Sequence, residues 1–123
     1  MKIKRIYYFG NKYVKDDSLA INVAEKLMTE MKKIEFVYVK DTFQLIDLDL
    51  KDALILDVAD SITKVTLMSS DNVKSRGIST THDFDLGFFL KLNDKKADIV
   101  AIPVNYGKEK AVTEAKSIIL SLH

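Results

Sequence analysis

Residues 53–58 read ALILDV, five apolar side chains around one aspartate with none of the alternation of a half-buried strand. An unbroken apolar run this short suits a strand covered on both faces, and such strands belong to parallel sheets coated by their own crossover helices. The flanking sequence supplies the crossovers. Residues 3–9 (IKRIYYF) are rich in β-branched and aromatic side chains and stop at Gly10-Asn11, which predicts a first strand and a sharp turn. Leu19, Ala20, Val23, Ala24, Leu27, Met28 and Met31 then recur at spacings of three and four, one face of a helix. Residues 34–39 (IEFVYV) form a second strand-like run. Downstream, residues 64–68 (KVTLM) suit a further short strand, and residues 69–81, with their serines, Asp71, Asn72 and Gly77, read as a loop delivering the chain to His82. Residues 83–92 (DFDLGFFLKL) predict a short buried helix, with Phe84, Phe88 and Phe89 as core, and residues 97–104 (ADIVAIPV) a last strand stopped by Pro103. From Lys108 onward Ala111, Val112, Ala115, Ile118, Ile119 and Leu122 keep helical spacing, so an amphipathic helix closes the chain.

Strands alternating with helices predict an α/β protein, a three-layer α/β/α domain about a mostly parallel five-stranded sheet. The 123 residues, 47% of them hydrophobic, fill one core and predict a single domain over residues 1–123. Nineteen basic against eighteen acidic side chains leave a formal charge of +1, so no field of one sign draws in nucleic acid or a membrane surface. Cysteine is absent, which excludes disulfides, thiolate nucleophiles, iron–sulfur clusters and Cys-based zinc sites; a metal here must bind oxygen and imidazole. The opening MKIKRIYYFG has no apolar stretch of signal-peptide length, and no run of 18 apolar residues occurs, so the expected location is the cytoplasm.

In layered α/β folds ligands sit beyond the carboxyl ends of the strands. The polar residues that follow the strands are Gly10, Asn11, Asp16 and Asp17 after the first, and Asp57, Asp60 and Ser61 at and beyond the third, with His82 in the loop. Each has an ordinary explanation. Asp16-Asp17 directly precedes the helical periodicity at Leu19 and suits an N-cap favoured by the helix dipole. Gly10 serves a turn, and His82 can cap the helix that starts near Asp83. His123 is terminal and expected to fray. Asp57 is harder to dismiss, because a carboxylate among ALIL and Val58 costs several kcal/mol unless the strand ends there and a cation or donors receive it.

Taken in order, YYFGNKYVKDDSLAINVAEKL, ALILDVAD, ISTTHDFDLGFFL and ADIVAIPVNYGKEKAVTEAKSIIL resemble the hydrogenase maturation protease family over almost the whole chain. That family's pattern is a glycine and Gly-Asn after strand one, an acidic pair opening helix one, an Asp after a central strand, and a Ser/Thr-rich turn ending in His. The resemblance implies a hydrogenase-maturation-protease-like fold with Asp17, Asp57 and His82 as metal ligands and catalytic residues. It further implies an endopeptidase that removes the C-terminal extension of a hydrogenase large-subunit precursor, its Ni²⁺ arriving with that substrate and Zn²⁺ or Cd²⁺ able to stand in. Two carboxylates and one imidazole suit such ions, and three protein ligands leave positions open. Asp16 and Asp60 are candidates to orient a ligand or accept a proton. The chain departs from the family pattern at Tyr8, Ser18 and Ala20, where glycines are usual, and Tyr8 is expected to narrow the site.

Two other readings compete. A non-catalytic relative with the same fold would serve as a metal-binding or chaperone module. A phosphoacceptor receiver domain would phosphorylate Asp57, but it requires a Lys at the end of strand five, and IVAIPVN has none.

Overall fold

The apolar and aromatic runs become strands, and the three-and-four spacings become helices. In the computed structural model, which describes residues 3–10, 15–40, 44, 47–60, 62–69 and 97–122, with residues 15–17 described by their backbone alone, the elements follow in order. They are β1 (Arg5–Tyr8), α1 (Lys15–Glu30), β2 (Glu35–Tyr38), β3 (Ala53–Ala59), β4 (Thr66–Ser69), β5 (Asp98–Pro103) and α2 (Lys108–Ser121). The strands form one five-stranded sheet in the order β2-β1-β3-β5-β4. β2, β1, β3 and β5 run parallel, and β4 lies antiparallel to β5 at the edge. The ALILDV segment is central, and all seven residues of β3 are buried.

The pleat divides the core in two. Leu54, Leu56 and Val58 join Ile6, Val100 and Ile102 on the face covered by α1 and α2. Ile55 and Ala59 join Tyr7, Phe9, Ile99 and Ala101 on the other. α1 presents Ala20, Val23, Ala24 and Leu27, all fully buried, and α2 presents Ala111, Ala115 and Ile119. Alanines at these positions let both helices lie close to the sheet and to each other, and Lys116 of α2 reaches Glu30 of α1 at 2.9 Å. The buried helix expected over residues 83–92 lies outside the described residues. Among the described residues, no helix is long and apolar enough to cross a membrane.

Two expected boundaries are corrected. α1 begins at Lys15, so Asp16 and Asp17 occupy its first turn instead of preceding it as caps. Hydrophobic spacing marks only the turns that are buried, whereas the helix begins where the backbone bonding does. β3 likewise continues past Asp57, because its ladder with β5 runs on through Val58↔Ile102 to Ala59↔Pro103. Asp57 is therefore inside the strand, near its carboxyl end.

β1 leaves the sheet through Phe9, whose N–H donates to the Leu56 carbonyl at 3.1 Å. Gly10 follows with φ 144°, a conformation that L side chains rarely adopt. Its carbonyl accepts a hydrogen bond from the Tyr38 hydroxyl at 2.6 Å, which ties this turn to β2. Gly10→Ala is expected to destabilise the protein by about 1–3 kcal/mol. Urea unfolding would measure it, and an unchanged midpoint would contradict the assignment.

Candidate functional site

Because β1, β3 and β5 are parallel, their carboxyl ends share one edge of the sheet. Asp57 is near this edge and is 1% exposed, the single buried polar or charged side chain among the described residues. Its register with Ala101 places it on the face of Phe9, Ile55, Ala59 and Ala101, opposite to α1. Oδ1 accepts the Val58 N–H at 2.8 Å. A carboxylate in such apolar company is costly to keep ionised unless charge or donors compensate it.

The first turn of α1 reaches the same edge. Ser18, Leu19 and Asn22 line a cleft of about 390 Å³ with Asn105, Tyr106, Gly107 and Lys108, the residues that follow β5. Asp17 is thus placed by its backbone beside the ends of the strands, while its side chain, like that of Asp16, is not described. His82, Asn11, Ser61 and His123 lie outside the described residues, and Asp60 is exposed just beyond β3. Among the described residues no group of three His, Cys, Asp or Glu side chains is placed to hold a metal ion, and two of the three expected ligand side chains are not among them. Tyr8 ends β1 at the same edge. It packs with the core on the helix-covered face, its ring 5.5 Å from that of Tyr38, so it does not share the face of Asp57. Burial, then the charge of Glu25, raises its phenol above the ordinary value.

A polar clasp beside this edge was invisible to sequence spacing. The Tyr106 hydroxyl donates to both carboxylate oxygens of Glu114, at 2.7 and 2.9 Å. Glu114 Oε1 also accepts the Val65 N–H at 3.2 Å, joining α2 to the residue before β4. Lys110 Nζ stands 4.9 Å over the Tyr106 ring. Asn105, at φ 58°, makes the turn that brings Tyr106 round, a left-handed conformation that asparagine tolerates well. The Tyr106 hydrogen bond, opposed by desolvation, holds the Glu114 carboxyl below its usual range. Desolvation first, and then that same bond, raises the Tyr106 phenol.

A carboxyl whose folded pKa is depressed contributes stability that is present above its unfolded value and is lost as the pH falls through the folded one. Glu114→Gln should therefore lower the melting temperature by a constant amount above about pH 5. The gap from wild type should close progressively below about pH 4.3, the ordinary glutamate value. A gap that persists unchanged to about pH 3 would show that the charge of Glu114 is not what holds Val65 and Tyr106.

No protein-family model and no curated protein sequence matches the chain. Among solved structures it is similar to the crystal structure of a NiFe hydrogenase maturation protease, HycI, from Thermococcus kodakarensis. The TM-score is 0.61 at 16% sequence identity, over 98% of this chain and 93% of that one. At this identity the likeness establishes the fold: a hydrogenase-maturation-protease-like α/β domain about a mostly parallel five-stranded sheet.

Proposed function

We propose that this chain is a metal-dependent endopeptidase that removes the C-terminal extension of a nickel-loaded hydrogenase large-subunit precursor. The observation that carries the reading is Asp57, a carboxylate 1% exposed near the carboxyl edge of the central strand, in a fold similar to that of a maturation protease. Buried carboxylates at the edge where ligands bind cluster at functional sites, and a cation is a partner that such a group suits. Asp57 and Asp17 would hold the substrate-borne nickel together with His82, a mixed oxygen and nitrogen set that also suits Zn²⁺ or Cd²⁺. Bound there, the ion would supply Lewis-acid polarisation of the scissile carbonyl and lower the pKa of water. The residues of the chain do the positioning. Val58 N–H donates to Asp57, while Phe9 and Ala101 share its apolar face, and Asp60, exposed just beyond β3, would accept a proton. The reaction belongs in the cytoplasm, where precursor and protease would meet.

Incubation with nickel-loaded precursor, followed by intact-mass measurement, tests the proposal. The precursor should lose one C-terminal peptide only when it carries nickel, and a general peptide substrate should stay whole. A precursor that remains intact under conditions in which an active maturation protease cuts it would exclude the enzyme, and binding without cleavage would point to a non-catalytic relative of the same fold.

A further inference from the structure

The helix-covered side carries a groove that the proposed reaction leaves unused. Between α1 and α2 it encloses about 800 Å³, lined by Lys26, Glu30, Val112, Thr113, Lys116 and Leu120 among others. It continues past Glu30, Lys116 and Leu120 for a further 560 Å³, to Met31, Lys32 and Lys33. Leu120 lies on both parts and is 54% exposed, so it offers an apolar contact in the middle of the groove. Five lysines (Lys26, Lys32, Lys33, Lys108 and Lys116) face two glutamates (Glu30 and Glu109) along it, a formal +3 on a chain whose total is +1. Glu30 is already engaged by Lys116 at 2.9 Å and Lys26 at 3.9 Å. Among the described residues, no carboxylate pairs with Lys32, Lys33 or Lys108.

We infer that this groove docks an acidic amphipathic helix of a partner protein, with an apolar side chain against Leu120 and carboxylates toward Lys32, Lys33 and Lys108. From Lys108 to Leu120 the wall formed by α2 is about 18 Å long at 1.5 Å per residue, room for roughly three turns of a docked helix. The other occupants fit the same observations less well. A second copy would bring one basic groove against another, and like charges meet at a cost. A bilayer needs more inserted apolar surface than one leucine. A nucleic acid backbone would meet Glu30 and Glu109 inside the groove.

The probe is a fluorescein-labelled, end-capped 15-residue helical peptide, with leucines at spacings of three and four and glutamates beside them, titrated by anisotropy. Wild-type protein should bind it, and the same peptide with lysines for glutamates should not bind. Leu120→Asp, and separately Lys32→Glu with Lys33→Glu and Lys108→Glu, should each weaken binding about tenfold or more. Binding should also weaken as salt rises from about 50 to about 300 mM. All four side chains are on the surface, and unchanged melting temperatures would confirm that the variants fold. The inference is overturned if the glutamate peptide does not bind at about 1 mM. It is equally overturned if both variants bind the peptide like wild type, or if Leu120→Asp instead abolishes a dimer in sedimentation, pelleting with phosphatidylserine vesicles, or a shift of duplex DNA. Binding at this groove does not depend on catalysis, so its failure leaves the proposed protease untouched.

Discussion

Replacing Asp57 with Asn is expected to slow cleavage of nickel-loaded precursor by about 100-fold or more, the rate equivalent of losing roughly 3 kcal/mol of metal-mediated stabilisation. The fold should survive. The amide fills the same volume and keeps an oxygen for the Val58 N–H, which Asp57 Oδ1 now accepts at 2.8 Å. Each kcal/mol lost would lower the melting temperature by about 4 °C in a domain of this size. Cleavage rates and thermal melts on the same preparation decide the matter. Full activity in the variant would remove Asp57 from the site, and a melting temperature lowered by about 10 °C would make it a structural residue.

The second large effect concerns His82, which lies outside the described residues. His82→Ala should abolish binding of Ni²⁺ while leaving the melting temperature of the metal-free protein nearly unchanged, because the only other histidine is the terminal His123. At one hundred times its dissociation constant, Ni²⁺ should stabilise the wild type by about 2.7 kcal/mol. The gain should fade below about pH 6.5, since the imidazole must be neutral to coordinate and the carboxylates are still mostly ionised there. A nickel-induced shift that survives the substitution, or that is constant from about pH 7.5 to about pH 5.5, would rule out imidazole as a ligand.

How far the fold could be read from the sequence follows from what periodicity encodes. ALILDV announced a strand buried on both faces, and the spacing from Leu19 to Met31 announced one helix face, because burial leaves its period in the local sequence. The partner of β4 was not legible. Four residues, Thr66–Ser69, carry no record of the antiparallel pairing with β5 that closes the sheet, since that choice is made by contacts about thirty residues away. The start of α1 is not marked for a similar reason: its first residues, Lys15, Asp16, Asp17 and Ser18, are all polar and add nothing to the apolar periodicity.

The site divides along the same line. The cost of a charge within ALIL and Val58 singled out Asp57, and the structure places it buried, inside the strand rather than at its end. The clasp of Tyr106, Glu114 and Val65 had no signature, because its members lie 8 and 49 residues apart and each is an ordinary residue in its own segment. The alternation of β1 turns Tyr8 toward the helices and its neighbours Tyr7 and Phe9 toward the face of Asp57.

The most direct measurement is anomalous diffraction from crystals of the protein grown with Zn²⁺ as the stand-in for nickel. One ion is expected at the carboxyl edge of the sheet, about 2.0–2.2 Å from a carboxylate oxygen of Asp57, a carboxylate oxygen of Asp17 and an imidazole nitrogen of His82. An ion bound with Asp57 absent from its ligands, or the carboxylates of Asp17 and Asp57 too far apart to share one ion, would contradict the account.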